Sequence, residues 1–457
     1  MNRNWCRYRD SQTFKGRVRT LYGAGEDVLE RQKARYGKLV ERFEERFGAA
    51  DELCFFSAPG RTEIGGNHTD HNNGRVLAAA VDLDTIACVQ KTDDGVIVVD
   101  SEGFGALTVP VDELLVREED FGTTLSVIRG VAGVMRRMGY AVGGFRATVS
   151  STVFPGSGLS SSAAFEVLII AILDGLYNGF GMDAKLRAVI AQRVENEYFG
   201  KPCGLMDQMA SSVGGMVTID FATPDAQVQT LSCDFAAQGY ALCVVNTGGN
   251  HGDLTDDYAA IRTEMEAVAA QFGKRVLREV PQDEFEANIG SIRAAVGDRA
   301  VLRAMHFYDD NARVLEQVAA IRRGDLAAFF DAVNRSGRSS WMLLQNVYAR
   351  AGEEQMAMGI ELSRRFLAGE GAQRVHGGGF AGTIQAYVPL RRLSDYIALI
   401  ESVFGPGSAV ALMIRPEGAV MRPSEAERVF YACTSLAALA GRLFLRGGVE
   451  KPLAHVV

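Results

Sequence analysis

The chain has 457 residues, of which 47% are hydrophobic and 23% charged, and its formal net charge is −8. A chain of that length can bury a core that needs neither disulfides nor a structural metal for stability. The excess of acidic side chains argues against a surface that binds nucleic acid or an anionic membrane, because such a surface requires clustered positive charge. The seven cysteines form no C-x-x-C pair, which indicates reduced thiols in a cytoplasmic protein, and the longest apolar run, Val167 to Leu173, is too short to span a bilayer.

The N-terminal part of the chain changes from helical to strand patterns. Apolar residues recur at helical spacing from Val28 to Phe47, so one or two surface helices are expected there. The apolar run Leu53 to Phe56 predicts a strand that ends in the turn Ala58-Pro59-Gly60. Two further strands, Val76–Val89 and Val96–Val99, are predicted to form a hairpin around the turn Lys91–Gly95.

The remaining elements alternate between the two types. Helices are expected at Thr124–Met138, at 161–178, at Ala184–Tyr198, at 256–272, 283–296, 300–320 and 325–333, at Arg392–Phe404 and at Ser424–Leu443. Strands are expected at Phe145–Ser151, Val217–Asp220, Ala241–Asn246 and Thr383–Val388. We therefore predict a helical extension over residues 1–45, two α+β domains over 46–228 and 229–445, and a tail over 446–457.

The segment from Pro155 to Ser162 has the composition of a phosphate-binding loop. Its glycines allow the backbone to approach a phosphate, its serines offer hydroxyls, and the helix that follows points amide groups at an anion. It is not a Walker A loop, because no lysine follows in the G-K-[ST] position. The alternative interpretation is a serine-rich cap on a buried helix.

The segment from Arg61 to Gly74 is dense in short polar side chains just after a strand. Asn67, His68, Asp70 and His71 offer the mixture of donors and acceptors that suits a polyhydroxylated ligand. Two alternatives remain open at this point, a metal site built on the two histidines and the aspartate, and a solvated turn.

Two further segments are candidates for chemistry. Asp207 follows two apolar residues, so a partly buried carboxylate is expected that needs a cationic partner or a catalytic role, with a helix N-cap as the alternative. Gly377 to Gly382 matches the dinucleotide pattern G-x-G-x-x-G, but a strand follows it where a helix is required, so a tight turn is the better interpretation.

In this order and spacing, the segments resemble the GHMP small-molecule kinases, and the galactokinase family in particular. The family signature G-R-x-N-x-I-G-E-H-T-D-Y-N is similar to Gly60–Asn72, the glycine-rich motif ending in L-S-S-S-A to Pro155–Ala163, C-G-x-M-D-Q to Cys203–Gln208, and G-A-G-F-G-G to Gly377–Gly382. Asn246 to Tyr258 has the family spacing from an asparagine after a strand to a sugar-site tyrosine. The resemblance covers residues from about 50 to 440.

The chain departs from the family pattern at positions that include residues 63, 67, 71 and 381. Glu63 replaces an asparagine, Asn67 a glutamate, His71 a tyrosine and Ala381 a glycine. Because Asn67 and His71 belong to the segment that holds sugar hydroxyls in the family, the departures bear on which sugar is bound and leave the catalytic residues intact.

The resemblance implies a fold and an activity. The fold would be α+β, with an N-terminal domain like the second domain of ribosomal protein S5 and a ferredoxin-like C-terminal domain. The activity would be ATP-dependent phosphorylation of the C1 hydroxyl of galactose, with Mg²⁺, by a cytoplasmic monomer or weak homodimer. Galacturonate, N-acetylgalactosamine or arabinose are alternative substrates, and a non-catalytic sugar and ATP sensor is a further alternative.

The resemblance also implies residue roles. Asp207 would be the general base and Arg61 its cationic partner. The sugar would be held by Asn67, His68, Asp70, Gly204 and Tyr258. ATP would be bound by Pro155, Gly156, Ser157, Gly158, Leu159, Ser160, Ser161 and Ser162. The ligands of Mg²⁺ would be Glu195 together with Ser161 or Ser162.

Overall fold

A computed structural model describes residues 2–50, 52–153, 158–201, 203–223, 225–248, 254–380 and 382–422 of the chain. The helices are α1 (Arg3–Arg9), α2 (Gln12–Tyr22), α3 (Glu26–Phe47), α4 (Thr124–Arg137), α5 (Ser161–Tyr177), α6 (Ala184–Val194), α7 (Met206–Val213), α8 (Thr255–Ala270), α9 (Gln282–Ala287), α10 (Ile289–Val296), α11 (Asp298–Arg323), α12 (Leu326–Ser339), α13 (Gln355–Leu367) and α14 (Leu393–Phe404). The strands are β1 (Cys54–Gly65), β2 (Arg75–Thr92), β3 (Val96–Ser101), β4 (Gly105–Pro110), β5 (Gly144–Ser151), β6 (Met216–Asp220), β7 (Gln227–Leu231), β8 (Tyr240–Asn246), β9 (Ala372–Val375), β10 (Thr383–Pro389), β11 (Ala409–Leu412) and β12 (Val420–Arg422). The helix expected at Ser424–Leu443 lies outside the described residues.

The first sheet has the strand order β12-β1-β2-β5-β3-β4, with β6 pairing to β2 and β7 to β6. The hairpin predicted between β2 and β3 is wrong, because β5 lies between them, antiparallel to β2 and parallel to β3. All three strands bury similar β-branched and apolar residues, so the hydrophobic pattern alone could not indicate which strands are neighbours.

Strand β1 is longer than the sequence predicts, and this difference creates part of the site. The chain does not turn at Ala58-Pro59-Gly60 but continues as a strand to Gly65. The register with β2 shifts between Pro59 and Arg61 and again between Glu63 and Gly65. The first shift accommodates Pro59, which has no backbone N–H to donate to β2. Both shifts change the direction of the side chains that follow, and all of these side chains are buried.

The second sheet is a four-stranded antiparallel sheet with the order β11-β8-β10-β9. Two sheets with helices packed on them confirm the α+β class. The boundary that we predicted after residue 228 falls inside β7, which pairs with β6 in the first sheet, and β12 returns to that sheet from the C-terminal side. The domain limits therefore stay predictions.

The N-terminal helices pack against the first sheet around a buried carboxylate. Asp84 of β2 accepts hydrogen bonds from Tyr22 at 2.5 Å, from Arg35 at 2.5 Å and from Arg415 at 3.0 Å. Burial alone would raise the pKa of Asp84, but the charges of Arg35 and Arg415 bring it below its usual value. Arg35 of the N-terminal extension and Arg415, which precedes β12, therefore both form ion pairs with Asp84 of the sheet. Among the described residues, no helix is both long and apolar enough to cross a membrane.

Candidate functional site

The centre of the site is an ion pair between Asp207, in the first turn of α7, and Arg61, after the first register shift of β1. Arg61 donates to both carboxylate oxygens at 2.6 Å, a bidentate geometry that fixes both side chains. Burial alone would raise the pKa of Asp207, but Arg61 and the Ser160 hydroxyl bring it below its usual value. Asp207 is therefore an ionised carboxylate at neutral pH, and with 28% of its side chain exposed it is accessible from the cleft.

The phosphate-type loop approaches this ion pair through its last residues. The backbone of Arg61 donates to the Leu159 carbonyl at 2.9 Å, and its guanidinium donates to the Gly158 carbonyl. Ser160 has a left-handed backbone conformation and precedes α5, whose first residues are Ser161 and Ser162. The described part of the loop therefore lies beside Asp207, with a helix N-terminus directed at the same place. Pro155, Gly156 and Ser157 lie outside the described residues.

A pair of buried carboxylates lies beside Asp207. The Gln208 amide donates to Glu195 at 2.8 Å and to Glu166 at 3.3 Å, so one side chain holds both acids. Glu166 Oε1 and Gln208 Oε1 are buried and have no hydrogen-bond partner among the described residues. Burial raises the pKa of both carboxyl groups; at Glu166 the charges of Glu195 and Asp207 raise the pKa further, whereas Gln208 and Lys201 oppose the shift. Glu195 also has the Lys201 ammonium at 3.7 Å, and in the described part of the chain no three or more His, Cys, Asp or Glu side chains are grouped so that they could hold a metal ion.

Asp70 and Gly204 meet at a cavity of about 390 Å³. A Cβ atom on Gly204 would lie 2.0 Å from Asp70 Oδ2, so only glycine allows the two segments to come this close. The volume is in the range of small-molecule pockets. His71, Arg262 and Arg275 line the same cavity.

His68 is placed as a neutral hydrogen-bonding residue. Burial and the neighbouring His71 lower its pKa to about 4, so the ring is uncharged at neutral pH. Its Nε2 lies 2.8 Å from the Gly378 carbonyl, which can only accept, so Nε2 carries the proton. Nδ1 is then an acceptor, which suits a sugar hydroxyl. Tyr258 donates to the Gly379 carbonyl at 2.7 Å and so contacts the same glycine-rich turn.

Asn67 lies in the interior and not at the surface of the cavity. Its amide nitrogen donates to Glu63 at 3.0 Å and to the Gly377 carbonyl at 2.7 Å. Its amide oxygen accepts from Ser340 at 3.2 Å and from Asn346 at 2.8 Å. Asn67 has no exposed surface, and its side-chain N–H groups and oxygen all have partners, so none of them is available to a sugar in this structure. In this structure the Asn67 side chain links neighbouring segments, and its direct contact with a sugar stays a prediction.

The segment from Glu63 to Asn67 is held by a buried polar network. Arg374 pairs with Glu63 at 2.7 Å, and Asp310 accepts from the backbone N–H of Asn67 at 2.9 Å. His306 donates from Nε2 to the Asn67 carbonyl at 3.0 Å. Residues on α11 and β9 therefore fix the segment that carries His68 and Asp70.

We predict a pH dependence from Glu63. Burial raises its pKa to about 7, although Arg374 and Arg61 oppose the shift. A carboxyl whose folded pKa exceeds its unfolded value stabilises the fold at low pH, and this stabilisation is lost as pH rises from about 4.5 towards 7. Wild type should therefore lose stability relative to Glu63→Gln across that window, by on the order of 2 kcal/mol.

Denaturant unfolding of both proteins between pH 4.5 and 8 measures this difference, with exposed Glu118→Gln as the matched control. A difference between wild type and Glu63→Gln that does not change with pH would show that the Glu63 carboxyl titrates normally.

Sequence reasoning missed several residues that the structure brings to the site. Glu166 is one of the few charged residues in a helix that is otherwise mostly apolar, and its position there could have indicated a buried functional carboxylate. Gln208 stood inside a motif that we quoted but received no role. Arg374 and His376 precede the glycine-rich turn, and no local pattern marks them, because their partners are more than 300 residues away.

Comparisons with known proteins agree with this geometry. The family model of the galactokinase galactose-binding signature matches residues 41–91, and that of the GHMP kinase N-terminal domain matches residues 126–215. The chain is 32% identical to a galactokinase of Streptomyces coelicolor over 376 residues, which is 80% of this chain and 92% of that protein. It is 29% identical to a galactokinase of Glaesserella parasuis over 401 residues, 86% of this chain and 96% of that one.

A similar fold occurs in the crystal structure of Lactococcus lactis galactokinase complexed with galactose. The TM-score is 0.74 at 24% sequence identity, and the alignment covers 84% of this chain and 99% of that chain. Most of the unmatched part of this chain must therefore be additional to a whole protein of that type.

Proposed function

Since this chain belongs to the galactokinase family, we propose that it transfers the γ-phosphoryl group of ATP to the C1 hydroxyl of galactose, with Asp207 as the proton acceptor. The predicted GHMP kinase fold and the predicted galactokinase-like phosphotransferase are confirmed. The observation that carries the residue assignment is the Asp207–Arg61 pair beside the end of the phosphate-type loop.

Asp207 takes the proton of the sugar hydroxyl as the oxygen attacks the γ-phosphorus. Its lowered pKa keeps it ionised, so the acceptor is available at neutral pH. Arg61 holds the carboxylate by two hydrogen bonds and adds positive charge where negative charge develops. Positioning and electrostatics are the main contributions that a protein can make to phosphoryl transfer.

The nucleotide phosphates bind at the loop and the N-terminus of α5. The described residues Gly158, Leu159, Ser160, Ser161 and Ser162 support this, because they bring backbone amides, hydroxyls and a helix N-terminus next to Asp207. We extend the binding segment to Pro155, Gly156 and Ser157 on the sequence alone.

The residues beside Asp207 fit Mg²⁺. Glu166 and Glu195 share one amide donor, and within the described ranges two buried acceptor oxygens, Glu166 Oε1 and Gln208 Oε1, have no partner. Oxygen acceptors without donors are what Mg²⁺ requires. Glu195, with Ser161 or Ser162, would hold the ion, and Mg²⁺ would supply charge neutralisation of the phosphate groups when bound.

The sugar binds between the His68–Asp70 segment and Gly204. Asp70 is an acceptor at the cavity, Nδ1 of His68 is a second acceptor, and Tyr258 supports the glycine-rich turn opposite. These groups suit hydroxyls that donate. A cytoplasmic location accords with the use of ATP and with thiols that are free in the described residues. The monomer or weak homodimer stays a proposal.

One observation favours a second substrate. Arg262 and Arg275 line the cavity together with Asp70 and Gly204, and Arg262 also pairs with Glu266 at 2.7 Å. A guanidinium recognises a carboxylate well, so galacturonate is the alternative that the cavity supports. N-acetylgalactosamine and arabinose have no comparable observation in their favour.

The proposed function is tested by coupled ATP turnover of the purified protein with Mg²⁺ and a panel of sugars. The panel contains galactose, glucose, galacturonate, N-acetylgalactosamine, N-acetylglucosamine and arabinose. We expect turnover with galactose and a product phosphorylated at C1. A preference for galacturonate would support the alternative substrate. If ATP binds but no sugar of the panel is turned over, the result would contradict the kinase assignment for these sugars.

A further inference from the structure

His376 is a buried residue of the cleft to which neither the motifs nor the mechanism assign a role. It directly precedes the glycine-rich turn Gly377–Gly382 and is 1% exposed. A Cβ atom on Gly158 would lie 2.8 Å from His376 Nδ1, so the imidazole lies against the last glycine of the phosphate-type loop. The two glycine-rich segments of the protein therefore meet at this side chain.

The hydrogen bonds around His376 determine which nitrogen carries the proton. Nε2 lies 2.9 Å from the Thr62 hydroxyl, which also accepts from the Gln385 amide at 2.8 Å. The Thr62 hydroxyl has one proton to donate, and among the described residues the only acceptor within reach is Nε2 of the His376 ring. Nε2 is then the acceptor, and the ring proton belongs to Nδ1.

The imidazole is neutral under ordinary conditions. Burial lowers its pKa well below the usual value, and the nearby charges of Arg61 and Arg374 lower it further. Nδ1–H is therefore a neutral donor, and none of the described residues offers it a hydrogen-bond partner. A buried donor without a partner costs stability comparable to a lost hydrogen bond, so its retention needs an explanation.

We propose that His376 binds ATP, donating its Nδ1–H to an anionic oxygen of the triphosphate beside Gly158. The inference rests on the proposed function, because it takes the Gly158–Ser162 segment as the phosphate site. Gly158 is the residue beside the donor; it has a φ of +69° and no side chain, so no Cβ atom occupies the space next to Nδ1. The Gln385–Thr62–His376 chain fixes the ring so that this proton is presented.

Two isosteric variants separate this role from a structural one. His376→Asn keeps a donor at the position of Nδ1 and loses the bond to Thr62, whereas His376→Gln keeps the bond to Thr62 and loses the Nδ1 donor. We expect the glutamine variant to raise the KM for ATP and the Kd for AMP-PNP by about tenfold or more, with the KM for galactose unchanged. The asparagine variant should keep nucleotide affinity within about threefold of wild type, although its thermal midpoint falls.

Nucleotide affinity that is unchanged in the glutamine variant, or lost equally in both variants, would overturn the proposal. If either variant does not fold, histidine-selective ¹⁵N labelling of the wild-type chain provides the test, since it contains six histidines. We expect His376 to carry its proton on Nδ1 and its signal to move on addition of AMP-PNP with Mg²⁺ but not of galactose. A proton on Nε2, or a signal that AMP-PNP does not move, would contradict the assignment.

The experiments distinguish this inference from the function on which it rests. Wild-type protein that does not bind AMP-PNP would overturn both. Wild-type protein that binds AMP-PNP and phosphorylates a sugar, but fails the comparison of the two variants, would overturn the role of His376 alone.

Discussion

Replacing Asp207 by asparagine is expected to lower kcat with ATP and galactose by about 10²–10⁴-fold. The amide keeps the shape of the carboxylate but cannot accept the hydroxyl proton. Binding of AMP-PNP should change little, because the loss concerns the step that moves the proton. Steady-state kinetics and calorimetric binding of AMP-PNP measure the two effects separately.

The control for this variant is Asp174→Asn. Asp174 is also paired with an arginine, Arg187 at 3.3 Å, but it is fully buried and lies in the second half of α5. Both variants leave an arginine without its charge partner, so both should be less stable than wild type. Only the Asp207 variant should lose turnover. Comparable kcat values in Asp207→Asn and wild type would remove Asp207 from the mechanism.

Replacing Asn67 by glutamate is expected to destabilise the protein by about 3–5 kcal/mol. The change restores the residue of the family signature, yet in this chain the new carboxylate would lie within hydrogen-bond distance of Glu63 in a buried site. It could not donate to Glu63 or to the Gly377 carbonyl as the amide does. Two buried acceptor groups would then repel each other, and denaturant unfolding measures the loss.

The double variant Glu63→Asn with Asn67→Glu tests the pair as a unit. It exchanges the two residues, so one carboxylate and one amide again face each other, and we expect it to recover more than half of the lost stability. The relative turnover of galactose and galacturonate should stay within about threefold in the double variant, because the pair does not reach the cavity. A double variant that is no more stable than Asn67→Glu would show that residues 63 and 67 do not interact. A reversed preference between galactose and galacturonate would show that Asn67 contacts the sugar.

The candidate site was predicted from the sequence where its members belong to continuous motifs. Arg61, Asp70, Gly204 and Asp207 belong to such motifs; Arg61 and Asp207 form an ion pair, and Asp70 and Gly204 line one cavity. The consequence of the change at Asn67 could not be predicted, because it depends on Ser340 and Asn346, which lie more than 270 residues further along the chain. The same separation hid His376, whose partner Thr62 lies on β1.

The sequence by itself determined the class of the fold, most helices and several strands, since amphipathic spacing and short apolar runs are local properties of a chain. It also identified the phosphate-type loop and singled out Asp207 as the candidate general base. Only the tertiary structure decided that β5 separates β2 from β3, that β1 continues through Pro59, and that Asn67 is buried. The physical reason is that strand neighbours, register shifts and buried hydrogen bonds depend on contacts between distant segments, which no local pattern encodes.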